Sequence, residues 1–571
     1  MDFKFKIAHL LYGCLKDEIQ GIGFDDILLA LELPKGDMGD LAYPCFRLAK
    51  SLKKAPQVIA QQLYSKIVCP DFLDKLEVSG AYINFFISRR LLSVSVLSDI
   101  FAKGCDYGKQ DIGDGACVVI DYSSPNIGKP FHVGHLRSTI IGHSLYNIFN
   151  CLGYNSFSIN YLGDWGNQFG KLIAAYKRWG VKEEVDRDGI MAINRLYVRF
   201  HEESLENKGL EDEARAWFVK MQENDDYALS LWRWFSDVSL YDYEKTYKRL
   251  SISFDSYKGE SFYNDKMMPV VEELTQKGLL TEDDGAMIVN LDDYKMPPCL
   301  ILRRDGGTLY PTRDIASVLY RKSEYNFVKC LYVTGQEQIL HFSQWFKVVE
   351  LMGYKWASEL SHVPFGMINF ADGKMSTRHG KVLLMEDLLN EAVNKILQII
   401  DEKNPNLQNK ELVAEQVGIG AIKFNDLYNS RIKDVEFSWE RMLNFEGETG
   451  PYVQYTFARC SSVIEKGQTL VEDGFKDAKL SLLINDDEFA LIKVLGLYPE
   501  KIREAAGKYE PFVVSRYIMQ VAQAYNKFYH DNSILKADEE LKKARLYLCV
   551  CVKYVLQSGL LLLGIETPER M

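Results

Sequence analysis

Two histidines that flank a glycine are the residues of this chain best suited to bind phosphate. His132 and His135 stand on either side of Gly134, after an apolar run that ends at Ile120 and before an amphipathic helical pattern. Imidazoles can donate N–H groups to phosphate oxygens, and a helix that begins there adds backbone donors and a positive dipole end. Gly134 lets a base or sugar approach the backbone, and Lys129 adds a full charge. An accidental turn with two surface histidines is the alternative, which the flanking strand and helix disfavour.

A second candidate site is the basic loop from Lys374 to Arg378, which lies between two glycines. It follows an apolar, strand-like segment at 363–370. A mobile basic loop can close on a triphosphate and then release pyrophosphate. Alone, such a loop would be interpreted as a solvated turn, but its place after a strand favours phosphate binding. Together the two motifs predict an ATP site that activates a carboxylate.

The elements around both motifs predict an α/β fold. In chain order we expect a strand at 118–120, a helix with Ile141, Leu145, Ile148 and Leu152 on one face, a strand at 156–161, a strand at 329–334, a helix with His341, Trp345, Val348 and Met352, and a strand at 363–370. Two such βαβ halves form a Rossmann-like, doubly wound parallel sheet. Its ligand site lies at the carboxyl ends of the strands.

The length of 571 residues suggests three to four domains, at roughly 150 residues each. We predict an N-terminal α+β module at 1–108, with a strand at 82–87, and a catalytic Rossmann-like domain at 109–395. A charge-rich helical block from about 172 to 265 separates the halves of the sheet and forms most of an insertion at about 172–285. The spacing of apolar and aromatic residues from Phe512 to Tyr529 predicts an all-α helical bundle at 396–571.

Composition narrows the class of protein. Hydrophobic residues make up 47% and charged residues 26%, as in a globular protein. The net charge of −11 gives no general reason to expect a nucleic-acid partner, although a local basic groove is compatible with it. The eleven cysteines lack zinc-knuckle spacing and favour a reducing compartment. The apolar cluster at 559–564 is too short to span a bilayer. We therefore expect a cytoplasmic protein without a membrane segment or a bound metal.

The two motifs resemble the signatures of the class I aminoacyl-tRNA synthetases, His-x-Gly-His and Lys-Met-Ser-Lys-Ser. Further segments are similar to those of the arginyl-tRNA synthetases and extend the resemblance over essentially the full length. They are 123–142 around the histidines, Asn-Tyr-Leu-Gly-Asp-Trp-Gly-Asn-Gln-Phe-Gly at 160–170, Tyr-Pro-Thr-Arg-Asp at 310–314, and the segments 511–529 and 563–571. The resemblance implies that ATP activates L-arginine to arginyl-adenylate, which is transferred to the 2′-hydroxyl of the terminal adenosine of tRNA(Arg). It implies no DNA partner.

The resemblance also implies roles for the residues of both motifs. It assigns catalysis to Lys129, His132, His135, Lys374 and Arg378, and ATP binding to Lys129, His132, Gly134, His135, Met375 and Ser376. One position departs from the signature, because Thr377 replaces its second lysine. Many arginyl enzymes share this loss and are thought to compensate with a lysine just before the first histidine, which is the position of Lys129. Mg²⁺ is expected on the phosphates of ATP, without a dedicated protein site.

Arginine recognition requires negative charge, because the guanidinium group is a permanently charged, planar fork. The resemblance assigns contacts with the arginine side chain to Tyr310, Asp314 and Gln338. It assigns the rest of the pocket to Ser124, Pro125, Asn126 and His135, with Asp121 as a further acidic candidate. Two alternatives stay open: Asp314 can be the N-cap of a helix that begins at Ile315, and Gln338 can be an ordinary surface amide.

The flanking domains are expected to bind the transfer RNA. The candidates are Tyr452, Tyr455 and Arg459. Aromatic rings stack on unpaired nucleotide bases, and an arginine side chain contacts phosphates. Helical spacing alone fits core rings equally well, and the resemblance favours tRNA binding. By resemblance, the N-terminal module contacts the tRNA elbow, and activation of arginine waits for bound tRNA. A monomer is sufficient for a chain of this size.

Three other functions share parts of this pattern. A cysteinyl enzyme would carry zinc-binding cysteines, which the sequence lacks, and a small-coenzyme nucleotidyltransferase would not need a large helical C-terminal domain. A catalytically inactive RNA-binding or arginine-sensing paralogue would explain Thr377. The intact Lys129, His132 and His135 argue against that explanation.

Overall fold

The computed structural model describes residues 3–19, 22–34, 38–370, 383–467 and 474–571. The chain divides into two compact units. The first comprises Met1–Tyr107, Arg459–Tyr498 and Gln520–Leu556, and the second comprises Gly108–Ala458, Pro499–Met519 and Gln557–Met571.

The N-terminal part of the first unit is an α+β module, as predicted. Its elements are α1 (Phe3–Leu15), α2 (Phe24–Ala30), β1 (Leu41–Pro44), α3 (Ala49–Leu52), α4 (Pro56–Lys66), β2 (Leu73–Ser79), β3 (Tyr82–Ile87) and α5 (Arg89–Lys103). The strands form an antiparallel sheet in the order β1-β3-β2. Ile83, Phe85 and Ile87 alternate along β3 and are buried, because successive strand side chains point to opposite faces.

A four-stranded parallel sheet forms the core of the second unit. Its strands are β4 (Cys117–Asp121), β5 (Asn155–Ile159), β9 (Lys329–Tyr332) and β10 (Leu360–His362), in the order β10-β9-β4-β5. Helix α6 (Leu136–Cys151) connects β4 to β5, and α14 (Ile339–Leu351) connects β9 to β10. These are the two predicted βαβ halves, so the doubly wound fold is confirmed. The strand order reverses between β4 and β9, and ligands bind beyond the carboxyl ends of strands at such a point.

A long segment separates the two halves of the sheet. Its elements are α7 (Asn167–Trp179), α8 (Lys182–Asp188), α9 (Ile190–Glu206), α10 (Gly209–Gln222), α11 (Asp226–Arg249), α12 (Met267–Gln276), β6 (Leu280–Asp283), β7 (Ala286–Val289), β8 (Cys299–Leu302) and α13 (Tyr310–Tyr325). The helices α7 to α11 correspond to the charge-rich block seen in the sequence. The antiparallel sheet β6-β7-β8 was not predicted.

The single strand predicted at 363–370 is wrong. Strand β10 ends at His362, and β11 (Ile368–Phe370) pairs in parallel with β12 (Val435–Phe437) outside the central sheet. Pro364 and Gly366 lie between the two strands. Proline cannot donate to a sheet ladder, and a Cβ atom on Gly366 would lie 2.6 Å from the Asp434 carboxylate. The chain therefore leaves the central sheet at this point.

The rest of the described chain is almost wholly helical, as predicted. The remaining helices are α15 (Met385–Lys403), α16 (Lys410–Leu427), α17 (Trp439–Met442), α18 (Gly450–Lys466), α19 (Asp486–Gly496), α20 (Tyr498–Lys508), α21 (Phe512–Asp531) and α22 (Glu539–Leu562). Within the described ranges, α22 is the one helix long and apolar enough to cross a bilayer, and 78% of its apolar window is buried inside the protein. Such burial is typical of a core helix.

Candidate active site

The turn that follows β4 holds two consecutive serines in the left-handed region. Ser123 has φ 74° and Ser124 has φ 49°, and such values are uncommon for residues other than glycine. The Ser123 N–H donates to Ser138 Oγ at 2.9 Å, and the Ser124 N–H donates to Asn160 Oδ1 at 3.1 Å. Tyr247 of α11 places its hydroxyl 2.7 Å from Ser123 Oγ. Surrounding hydrogen bonds thus maintain a costly backbone conformation, a feature that is concentrated at functional sites.

The next part of the turn packs against the glycine turn after β5. The Gly163 N–H donates to the carbonyl of Pro125, which is itself buried, at 3.1 Å. A Cβ atom on Gly163 would lie 2.0 Å from Asn126 Oδ1, so a larger residue there would have to displace the Asn126 side chain. Asn126 is otherwise exposed. The two turns are therefore held together at the carboxyl edge of the sheet.

The insertion helix α11 also positions Lys129. The Tyr243 hydroxyl lies 2.7 Å from the carbonyl oxygens of both Asn126 and Lys129. Lys129 is half-buried, and its Nζ lies 5.7 Å from the centre of the Tyr197 ring on α9. A cation over a ring face is attracted to it. The helical insertion thus fixes both the backbone and the ammonium group of the residue expected to replace the missing signature lysine.

The two histidines are neutral donors. Nδ1 of His132 accepts the Gly134 N–H at 3.1 Å, and Nδ1 of His135 accepts the His132 N–H at 3.3 Å. Burial lowers the pKa of both imidazoles, assisted by their neighbours, and that of His135 falls to about 3. With Nδ1 accepting, these hydrogen bonds assign the proton of each neutral ring to Nε2. Each ring can therefore donate one N–H to a phosphate oxygen while Gly134 stays exposed between them.

Residues 383–385, which follow the second motif in the sequence, lie directly beside the first motif. The Val133 N–H donates to the carbonyl of Leu383 at 3.1 Å, and the Met385 N–H donates to Phe131 at 3.0 Å. His132 and Leu384 form an antiparallel bridge. Lys374, Met375, Ser376, Thr377 and Arg378 themselves lie outside the described residues. Residues 383–385 thus lie against the His132 turn.

Asp314 lies inside α13 and is not its N-cap. The helix begins at Tyr310, with Leu309 at the N-cap position, so the N-cap alternative is wrong. Tyr310 and Asp314 are four residues apart and share one face of the helix. Tyr310 is 65% exposed. Asp314 Oδ2 lies 2.6 Å from Nε2 of His341, which is on α14 three residues after the exposed Gln338.

Asp121, the further acidic candidate, has a partner inside the protein. Its carboxylate lies 2.8 Å from Nη2 of Arg321, and it also accepts the Ser124 hydroxyl at 3.1 Å. Both Asp121 and Arg321 are almost fully buried. Burial disfavours the guanidinium, but the Asp121 carboxylate acts together with Tyr332, Tyr263 and Cys330 to raise the pKa of Arg321, so the guanidinium stays charged. Asp121 therefore supports the turn, and its contact with arginine stays a prediction.

A cavity of about 500 Å³ opens beside the start of α13. Glu260 lies on its wall, with Oε2 3.0 Å from Nη1 of Arg313. Burial raises the pKa of Glu260 to about 7, Arg313 opposes this effect, and Asp314 and Asp164 add to it. Glu260 was not predicted as a site residue, because its position falls in the segment interpreted from the sequence as a charge-rich helical block. The available signal was the non-helical, polar stretch at 255–261. Glu260, Arg313, Trp165, Asn264, Arg303 and Tyr310 are among the residues that line the cavity.

The residues expected to bind tRNA lie on α18. In the second unit Tyr455 is 40% exposed and Tyr452 is half-buried, whereas Phe457 belongs to the core. In the first unit Arg459 donates to Asn526 at 2.5 Å and stands 5.1 Å from the centre of the Tyr529 ring. Tyr452 and Tyr455 are thus accessible enough to stack on a base.

Comparison with known proteins identifies the family. The model described as tRNA synthetases class I (R), catalytic domain, matches residues 96–439. A DALR anticodon binding domain matches 453–571, and an arginyl tRNA synthetase N terminal domain matches 9–87. Arginine–tRNA ligase of Alkaliphilus metalliredigens is 52% identical over 571 residues, and that of Clostridioides difficile is 49% identical over 571 residues, with both chains fully covered in each case.

Solved structures agree with the sequence relatives. Arginyl-tRNA synthetase of Thermus thermophilus has a TM-score of 0.82 at 25% identity and covers both chains fully. The enzyme of Plasmodium falciparum has a TM-score of 0.82 at 24% identity, covers 99% of this chain and shows the same fold. The chain therefore belongs to the arginyl-tRNA synthetase family, the arginine–tRNA ligases of class I.

Proposed function

We propose that the turn after β4 and the cavity at α13 together carry out the two steps of arginine–tRNA ligation. In the first step, a carboxylate oxygen of arginine bonds to the α-phosphorus of ATP and the bond to pyrophosphate breaks. In the second, the 2′-hydroxyl oxygen of the terminal adenosine of tRNA(Arg) bonds to the arginyl carbonyl carbon, loses its proton, and AMP leaves with the electron pair. Positioning and charge stabilisation carry both steps, without a covalent enzyme intermediate.

The observation that carries this proposal is the pair of neutral histidines at the strand switch point. His132 and His135 each donate from Nε2 to phosphate oxygens, and Lys129 adds a positive charge to the group that gains negative charge as pyrophosphate departs. ATP enters with Mg²⁺ on its phosphates. The loop residues Lys374, Met375, Ser376 and Arg378 are proposed to close over the same phosphates.

Arginine binds with its guanidinium toward the carboxylates of Asp314 and Glu260. Both lie near the cavity at α13, and the Tyr161 hydroxyl, buried there without a hydrogen-bond partner in the described chain, is under the electrostatic influence of both. A bidentate guanidinium supplies donors for such acceptors. Tyr310, which lines the cavity, and Gln338 are proposed to contact the arginine side chain. The amino and carboxylate groups of arginine are proposed to meet Ser124, Pro125, Asn126 and His135.

The rest of the chain is proposed to bind tRNA(Arg). We assign 1–108 to the N-terminal domain at the tRNA elbow, 109–395 to catalysis, with its insertion at about 172–285, and 396–571 to anticodon binding. Tyr452 and Tyr455 stack on bases and Arg459 contacts the backbone. The protein acts as a monomer in the cytoplasm. The match to an anticodon binding domain at 453–571 supports the assignment of the C-terminal helices.

Pyrophosphate exchange tests the proposal directly. Purified protein is incubated with ATP, labelled pyrophosphate and each amino acid in turn, with and without a tRNA(Arg) transcript. We expect labelled ATP with arginine and tRNA(Arg) together, and arginyl-tRNA when pyrophosphate is omitted. No exchange under these conditions would contradict the enzyme assignment, whereas exchange with a different amino acid would contradict only the specificity.

A further inference from the structure

We propose that His341 is a positioning residue for arginine recognition, which fixes the Asp314 carboxylate so that one oxygen faces the guanidinium. The inference rests on the proposed function of Asp314. In this proposal His341 contacts neither arginine nor ATP and acts only through Asp314.

The geometry of the pair fixes the orientation of the carboxylate. His341 Nε2 and Asp314 Oδ2 are 2.6 Å apart, a short distance typical of a charge-assisted hydrogen bond. The two residues come from different helices, α14 and α13, so the bond also joins the two elements. Within the described part of the chain, Oδ1 of Asp314 accepts no hydrogen bond. One oxygen is therefore held by the protein and the other is left for a donor from outside.

Partial burial strengthens this bond. The side chain of His341 is 29% exposed and that of Asp314 is 20% exposed, so water competes only weakly for the carboxylate. The ring of His341 also packs on Phe342, with ring centres 5.5 Å apart. A side chain held by packing and by one hydrogen bond loses little further freedom when a ligand arrives, which favours binding.

The charges around the cavity single out Asp314. The carboxylate of Asp314 lies close enough to influence those of Asp121 and Glu260, and each of the three has a different partner: Asp121 pairs with Arg321, Glu260 with Arg313, and Asp314 with His341. The two arginines carry permanent charges that cancel those of their partners. The imidazole of His341 is not a permanent cation, and it forms its hydrogen bond with one oxygen only. Asp314 is thus the carboxylate of the three whose partner is not permanently charged, which suits it to a cationic ligand.

Two variants separate orientation from simple packing. His341→Ala removes the donor, whereas His341→Gln retains an N–H group at nearly the same distance from the backbone. In pyrophosphate exchange with tRNA(Arg), we expect His341→Ala to raise KM for arginine about tenfold, the effect of one charge-assisted hydrogen bond, and to leave KM for ATP within about twofold. His341→Gln should recover most of the loss. Ser343→Ala, two residues along the same helix and exposed, is the matched control.

A double-mutant cycle tests whether His341 acts through Asp314. Calorimetric titration with arginine measures binding even where exchange is too slow. We expect His341→Ala to weaken arginine binding in the native background and to have no further effect in an Asp314→Asn background. An undiminished effect in that background, or equal changes in KM for arginine and for ATP, would overturn the inference. If the native protein exchanges with arginine and the His341 variants match it, only the inference fails. If the native protein does not exchange, the proposed function fails.

Discussion

Glu260 Oε2 lies 3.0 Å from Nη1 of Arg313, and both residues line the cavity in which we propose that arginine binds. Burial raises the pKa of Glu260 to about 7, even though Arg313 opposes the shift. Without a ligand this carboxylate therefore gains its proton close to neutral pH. Once it is protonated, the charge of Arg313 is no longer balanced and repels an incoming guanidinium.

Arginine binding should depend on pH through this pair. The guanidinium of the substrate stays charged throughout, so the ionised form of Glu260 favours binding and the protonated form disfavours it. We expect KM for arginine to fall as pH rises through about 7 and to level off above it. Below that point it should rise by at most about tenfold per pH unit, the limit for one proton. Pyrophosphate exchange at saturating ATP and tRNA measures the profile.

The Glu260→Gln variant provides the control for this pH profile. It cannot ionise, so its KM for arginine should be high at every pH and should lack the rise that begins near pH 7. If KM for arginine rises by the same amount below pH 7 in Glu260→Gln, the pH dependence of arginine binding belongs to another group.

The sequence predicts the phosphate-binding side of the candidate site, around His132, better than the side around Glu260 and His341. The His132 turn could be found because a strand, a glycine and a helix start are local signals that share one stretch of chain. The polar stretch at 255–261 marks a non-helical segment but does not place Glu260 at the site, because its position depends on the path of the chain after α11, where Ser256 bridges to Ile159 of β5. His341 likewise reaches Asp314 only through the packing of α13 against α14. Such contacts depend on tertiary structure.

Lys129 is expected to be essential for turnover and dispensable for arginine binding. Its Nζ lies beside the His132 turn, and Thr377 leaves the second motif without its usual lysine. We expect Lys129→Ala to lower kcat of pyrophosphate exchange by about 10²- to 10³-fold, as for removal of one preorganised donor. Arginine binding measured by calorimetry should stay within about twofold.

A second lysine offers a matched control for Lys129. Lys177 also lies on the helical insertion and stands over an aromatic ring, that of Tyr227, at 5.0 Å, but it is exposed. Lys177→Ala should turn over normally. Normal turnover of Lys129→Ala would show that this lysine does not compensate for the residue at 377.

Strands were predicted correctly where the run of apolar residues is uninterrupted. Val118, Val119 and Ile120 are fully buried in β4, as their continuous apolar run indicates for a strand covered on both faces. The prediction failed at 363–370, where Pro364 and Gly366 interrupt an apolar run that then continues in another sheet. The strands β6, β7 and β8 have four residues each, too few to show a period.

A buried ion pair joins the helix after the histidine motif to α16. Arg137 Nε donates to Asp426 Oδ2 at 2.9 Å, and its Nη1 donates to the carbonyls of Gly366 and Lys433 at 2.7 and 2.9 Å. The side chains of Arg137 and Asp426 are 1% and 4% exposed. Arg137 therefore connects the start of α6, two residues after His135, to the segments that precede β11 and β12.

Removing one partner of this ion pair should destabilise the protein more than replacing both partners with apolar residues. Arg137→Ala leaves the Asp426 carboxylate buried without a counter-charge, and we expect a loss of about 3–5 kcal/mol in the free energy of unfolding. Urea titration followed by tryptophan fluorescence measures this loss. The paired variant Arg137→Met with Asp426→Leu removes both charges and should recover much of it. Arg178→Ala, which breaks the exposed pair with Glu213, should change stability by at most about 1 kcal/mol. A paired variant no more stable than Arg137→Ala would show that the carbonyl contacts of Arg137, and not its charge, hold α6 in place.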